Sequence, residues 1–218
     1  MLPIAAPLLA AALLTPGGRP IAVRAMILIA LCMGLATVAK VGMAFARPAS
    51  LEIRRKRPVA AQNQPLIDSI GLVAFLAYLV GWLAFLPVDA ARLHLLPPPP
   101  RWVAVLGLLA ALAGCATGQL AVWQNEFASP AVQKHLDQTV VSTGLYGVVR
   151  HPLYTGNLLF FSGIALWIGS LAGLLGVAVI LAATVARVFV EERHLRENLP
   201  GYAAYTRAVR SRLIPFVL

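Results

Sequence analysis

Apolar runs of membrane-crossing length alternate along this chain with short basic, polar or proline-rich stretches. The pattern predicts spans over 25–45, 66–86, 102–123, 153–168 and 171–190, close to the ~20 residues a helix needs to cross the hydrocarbon core. Lys40 lies near the end of the first, where its stem can carry the ammonium to the headgroups. Asp68 stands at the entry of the second, and Trp102 and Trp123 bracket the third as interface anchors. The run from Pro97 to Pro100 is a stiff, extended linker. Only Gly169-Ser170 separates the last two runs, which predicts a tight transmembrane hairpin. Residues 1–14 are apolar but short, contain Pro3 and Pro7, and lack a basic n-region. A short interfacial or re-entrant helix fits them better than a signal peptide, and Thr15-Pro16-Gly17-Gly18 closes the segment. After Glu191 the chain turns polar, with Leu195, Leu199, Tyr202, Tyr205 and Val209 at helix-like spacing. That tail reads as an amphipathic helix lying on the membrane surface or folded over a site.

The expectation is an all-α polytopic membrane protein: about five transmembrane helices, a C-terminal helical hairpin and a cytosolic amphipathic helix. Residues 1–218 form one membrane domain, with plain apolar helices over 1–123 and the chemistry in 124–218. Composition agrees, since 60% of the residues are hydrophobic and mean hydropathy is +0.80, against ~45–50% apolar usage in soluble domains. The net charge of +10 lies between the apolar runs. It reads as topology signal and anionic-lipid contact rather than a nucleic-acid surface. Basic residues are richest in the 46–65 loop (Arg47, Arg54, Arg55, Lys56, Arg57) and from Arg187 onward. With five spans these segments share a side with the 124–150 loop. The positive-inside rule makes that side cytoplasmic, in a bacterial inner membrane. Cys32 and Cys115 fall within apolar runs and read as buried small hydrophobes. His94, His135 and His194 are isolated, so no metal site is expected. No Gly-x-Gly-x-x-Gly follows a strand-like run, which argues against a Rossmann domain.

Chemistry concentrates where polar residues meet hydrocarbon. Arg150-His151-Pro152-Leu153-Tyr154-Thr155-Gly156 opens the fourth run and Glu191-Glu192 closes the fifth, and ionisable groups are costly at such boundaries. Arg187 and Glu191 are four residues apart and share a helix face. Tyr146 and Tyr154 offer aromatic faces suited to a cation or a flat base. His151 can donate or accept hydrogen bonds. Blander roles fit the rest: Glu192 as a solvated residue paired with Arg196, and Tyr202 and Tyr205 as packing residues. Arg187 could also serve as a membrane-surface anchor.

In order and spacing, Asn125-Glu126-Phe127, the stretch from Thr139 to Tyr146, the Arg150–Gly156 motif, and Arg187-x-x-x-Glu191-Glu192-x-x-Leu195 followed by Tyr202-x-x-Tyr205 and Arg212-Leu213-Ile214-Pro215 resemble the isoprenylcysteine carboxyl methyltransferase family. That family groups with phospholipid methyltransferases. The resemblance covers about 125–215; the first half matches only in being hydrophobic. It implies S-adenosylmethionine as cofactor. By the same resemblance the cofactor contacts fall on Gln138, Thr139, Val140, Val141, Tyr146, His151, Pro152, Leu153, Tyr154 and Glu191, and the substrate-site arginine on Arg187. Gln138 stands where eukaryotic members carry His, Gly147 where many bacterial members carry Arg, and Leu145 where Pro is common. Those departures leave the acceptor open.

The implied partners are a lipophilic acceptor and membrane lipids, with no nucleic acid. A carboxylate acceptor, such as that of an isoprenylated cysteine, needs no general base and suits a planar guanidinium at Arg187. A phospholipid amine or a thiol would need a base, His151 or a water. Two rival classes stand beside these. An NADPH-dependent sterol-type reductase shares a similar Arg-His-Pro-x-Tyr arrangement, but this chain has only Lys134 and Arg150 before the motif to meet a 2′-phosphate. A non-enzymatic small membrane protein is the other.

Overall fold

The computed structural model describes residues 2–48, 66–125 and 139–215. Seven α-helices and no strand occur among them: α1 (Leu2–Leu14), α2 (Arg19–Ala46), α3 (Leu66–Val88), α4 (Arg101–Gln124), α5 (Pro152–Ile168), α6 (Gly173–Asn198) and α7 (Tyr202–Ala208). The all-α expectation therefore holds. Helices α2, α4 and α6, and α3 with the turn that follows it, are long and apolar enough to cross a membrane. Helix α5 is apolar and shorter, at 17 residues.

Local sequence sets the boundaries. Proline stands in the first turn of α2 and of α5, where its missing N–H is not needed. Pro87 lies in the last turn of α3, and a π-helical turn, Asp89–Leu93, follows before the chain turns at left-handed His94. Gly169, at φ +100°, ends α5 in the left-handed conformation that glycine adopts without penalty. Leu199 is extended ahead of Pro200, as the proline ring requires of its predecessor, and this ends α6.

The most extensive helix pair is α4 with α5. They run antiparallel with Gly107 facing Leu166 and Trp167, and Gly114 facing Gly156 and Phe160. A Cβ built on Gly163 would collide with the Ala111 backbone, and one on Gly114 with the Gly156 carbonyl. Small residues let the two backbones touch, which drives helix association where lipid removes any hydrophobic incentive. Helix α1 packs on α3, burying Leu8 and Ala12 in a cluster with Leu79, Trp82, Leu83 and Leu86. Elsewhere large apolar side chains face outward, Val73, Val38 and Leu175 among them, as a lipid-facing surface requires.

The predicted hairpin turn is present at Gly169-Ser170, between α5 and α6, and the glycine seam makes α4–α5 the most tightly packed pair. One expectation changes. The tail helix does not begin at Glu191. Helix α6 continues to Asn198, and only the short α7 follows the Leu199–Gly201 break. Residues 191–198 hold good helix formers and no proline, so α6 outlasts its apolar stretch.

The ends of the bundle differ in character. At one, Arg24 stacks on Trp167 and receives its indole N–H on its backbone carbonyl at 2.7 Å. There buried Asp89 accepts hydrogen bonds from Ser170 Oγ at 2.6 Å and Leu95 N–H at 3.0 Å. At the other, Arg47 donates to the Trp123 carbonyl, and the chain from Thr139 to Pro152 meets the end of α6, α7 and the segment 209–213.

Candidate active site

Pro152 starts α5 and puts His151 just ahead of it, at the N-cap. The segment 209–213 fixes that start. Arg150 and His151 donate their backbone N–H groups to the Ser211 and Arg212 carbonyls, each at 2.9 Å, and Thr155 Oγ1 donates to the Leu213 carbonyl at 2.6 Å.

Beneath this strap lies a buried ionic cluster. Arg150 Nε donates to Glu192 Oε1 at 2.7 Å, with both side chains 4% exposed. Arg150 Nη1 also donates to the carbonyls of Val209 and Arg210. His151 Nε2 lies 3.3 Å from Glu192 Oε1, while Arg212 Nε and Arg196 Nη2 lie 3.3 and 3.6 Å from Glu192 Oε2. Glu192 is thus the buried hub of the cluster and not the solvated residue expected, although its predicted pairing with Arg196 is present. Such charges are tolerable away from water only when paired and hydrogen-bonded. Arg212 stacks over Phe189 at 5.0 Å as well.

Glu191 points elsewhere. Tyr154 donates its hydroxyl proton to Glu191 Oε2 at 2.8 Å, and Arg187 Nε donates to the same hydroxyl at 2.9 Å. As their four-residue spacing predicts, Arg187 and Glu191 share one face of α6, and Tyr154 joins them across from α5. The Tyr154 ring stacks on His151 at 5.7 Å with planes 25° apart, and His151 Nδ1 lies 4.0 Å from Glu191 Oε1. The Glu191 side chain is 26% exposed, so it remains accessible where Glu192 is not.

Thr139, Val140 and Val141 approach as a non-helical segment. Among the described residues none of their backbone groups bonds to another backbone group. Gln138 lies outside the described residues, as do Glu126, Phe127 and Lys134. Tyr146 sits in a short 3₁₀ turn, Gly144–Gly147, and is buried. Its hydroxyl donates to the Ala121 carbonyl at 3.4 Å, and its own carbonyl accepts the Tyr205 hydroxyl proton at 2.7 Å. Gln124 Oε1 accepts the Leu145 N–H and so ties this turn to the end of α4. Tyr202 and Tyr205 are buried, as packing residues should be, and burial raises both hydroxyls well above tyrosine's ordinary pKa. Pro152 is buried and Leu153 half-buried at the first turn of α5.

The structure therefore gathers His151, Tyr154, Arg187 and Glu191 directly. Tyr146 and Val140 are linked to them through α7. Arg150, Glu192 and Arg212 were not singled out by the sequence as a structural cluster. The hint available was the adjacency of Arg150 to His151 and of Glu192 to Glu191. Adjacent helical residues point ~100° apart, so one of the two acids had to face away from Tyr154.

An all-helical bundle with membrane-length helices and a polar cluster at one end defines a class, the polytopic membrane proteins with a boundary site. Within that class, residues 102–200 match the phospholipid methyltransferase family, a family of integral membrane methyltransferases. The match runs from the first turn of α4 to Pro200 and supports a membrane methyltransferase. The chain is also similar to the cobalt-zinc-cadmium resistance protein CzcN of Cupriavidus metallidurans, 30% identical over 111 residues, which cover 49% of this chain and 48% of that protein. The chain therefore spans about half the length of this curated relative.

Proposed function

We propose that the protein transfers a methyl group from S-adenosylmethionine to a lipophilic acceptor that enters from the bilayer, at a site facing the cytoplasm. One observation carries the reading: Arg187, Tyr154 and Glu191 form a hydrogen-bonded chain that joins a cation and an accessible carboxylate on one face of α6.

The residues fit the cofactor by their chemistry. Glu191 offers a partly exposed carboxylate for an ammonium or for ribose hydroxyls. The stacked His151 and Tyr154 offer aromatic faces. Thr139–Val141 offers backbone groups not engaged with other backbone groups, suited to the edge of an adenine. When bound, S-adenosylmethionine supplies an electrophilic methyl group on a sulfonium. The protein's part is alignment and exclusion of water. Tyr154 holds its one proton toward Glu191 because Arg187 Nε–H occupies its acceptor side, so the hydroxyl fixes both charged side chains. Arg187 then positions a carboxylate acceptor, as on an isoprenylated cysteine, which is ionised at neutral pH and needs no base. A phospholipid amine, the acceptor class suggested by the name of the matched family, is the second reading. His151 stands beside the site as the group to take its proton. The reductase alternative is weakened because Arg150 is committed to Glu192 and two tail carbonyls.

The test is transfer of labelled methyl from S-adenosylmethionine into a total lipid extract by the purified protein in lipid nanodiscs. Label released as methanol by mild alkali marks a methyl ester and supports the carboxylate acceptor. Alkali-stable label marks an amine or thiol acceptor. No incorporation from any fraction contradicts the methyltransferase reading.

A further inference from the structure

Tyr202 lies beyond residues 102–200, which match the phospholipid methyltransferase family, and is not among the residues that the resemblance assigns to the cofactor. Its side chain is buried at 4% exposure, and its hydroxyl is the one buried side-chain polar atom among the described residues without a hydrogen-bond partner. Buried hydroxyls almost always find a partner, and tyrosines buried in native proteins usually place theirs against one. Its neighbour Tyr205 obeys that rule by donating to the Tyr146 carbonyl.

The Tyr202 ring is held in place. It packs against Tyr205 with centroids 5.7 Å apart and shares a cluster with Val140, Leu195 and Leu199. Val140 belongs to the non-helical 139–141 segment, so α7 covers the stretch expected to meet the cofactor. A tyrosine oxygen can both donate and accept, so an unpaired one enclosed beside Val140 suits a polar group of a bound molecule.

We propose that the Tyr202 hydroxyl is a further cofactor contact, hydrogen-bonding a polar group of S-adenosylmethionine held beneath α7 beside the Thr139–Val141 segment. The proposal rests on the cofactor reading above and extends it to a residue of α7. Because the oxygen is sealed from solvent, its partner must be enclosed with it between α7, Val140 and the end of α6.

The test is Tyr202→Phe, which keeps the ring and its packing and removes one oxygen. Wild type and variant in nanodiscs are titrated with S-adenosylhomocysteine by calorimetry, and thermal melting is recorded with and without that ligand. The expected result is a Kd weakened tenfold or more, a smaller ligand-induced rise in melting temperature, and ligand-free melting unchanged or raised. The last follows because an unpaired buried hydroxyl is a liability when no ligand is bound. A Kd within twofold of wild type overturns the proposal, as does a loss of ligand-free stability with the ligand-induced rise intact, which would mark a packing role or a buried water. If wild type itself fails to bind S-adenosylhomocysteine, the cofactor reading fails and this contact with it. Wild-type binding with an unaffected variant removes only the role of Tyr202.

Discussion

Glu192→Gln keeps the shape of the buried side chain and removes its charge, leaving Arg150 buried without a counter-ion. Both partners are 4% exposed and 2.7 Å apart, and three further cations or imidazoles lean on the same carboxylate. Removing one member of a buried pair costs about 3–5 kcal/mol, because the other charge stays where water cannot reach it. For a chain of this size, each kcal/mol moves the melting temperature by about 2–4 °C, so the variant should melt about 6–20 °C lower. Arg196→Ala is the internal control. Its side chain is 51% exposed and lies 3.6 Å from the same carboxylate, so its loss should cost no more than ~1 kcal/mol. The double variant Arg150→Met with Glu192→Gln should lose less than the sum of its two single variants, since the stranded charge is gone. Melting in nanodiscs, followed by intrinsic fluorescence, reads wild type and the four variants, Arg150→Met included. A Glu192→Gln protein melting within about 2 °C of wild type would refute the claim that this cluster anchors the start of α5 to α6 and the tail.

Arg187→Ala should abolish turnover while keeping S-adenosylhomocysteine affinity nearly unchanged, and Arg187→Lys should rescue poorly because it lacks the planar fork; parallel binding and methyl-transfer assays check this. Gly163→Val should prevent α4 and α5 from closing, since even a Cβ there meets the Ala111 backbone, whereas Gly34→Ala, with open space around it, should melt like wild type. Tyr205→Phe should lower stability by roughly 1 kcal/mol through loss of its bond to the Tyr146 carbonyl, read by melting. Cysteines introduced at 92 and 207 should be labelled by impermeant reagent from opposite faces of the membrane; labelling from the same face would break the shared-side topology.

The fold class was legible because membrane-length apolar runs leave the backbone one solution, the helix. The helix start at Pro152 and the stop at Gly169 were legible too, since each rests on chemistry local to one residue, whereas the first span was read from residue 25 although α2 begins at Arg19. The end of α6 was not. The apolar run stops at Val190, but helicity needs only good helix formers and no proline, and both conditions last until Leu199-Pro200. The dominance of the α4–α5 pair was equally hidden, because Gly107, Gly114, Gly156 and Gly163 acquire meaning only once the two helices face each other. In the site, the spacing of Arg187 and Glu191 correctly put them on one face. Which of Glu191 and Glu192 would be buried depended on where the tail lay, and the strap from Val209 to Leu213 has no periodicity to announce it.

The central claim is that the end of the bundle holding His151, Tyr154 and Glu191 binds S-adenosylmethionine. The direct measurement is calorimetric titration of the nanodisc protein with S-adenosylhomocysteine and, separately, with NADPH, in wild type and in Glu191→Gln. Saturable micromolar binding of S-adenosylhomocysteine is predicted, weakened roughly 10–100-fold by the substitution as a charge-assisted hydrogen bond is lost, with no response to NADPH. Saturable NADPH binding without any response to S-adenosylhomocysteine would contradict the account and return the chain to the reductase class.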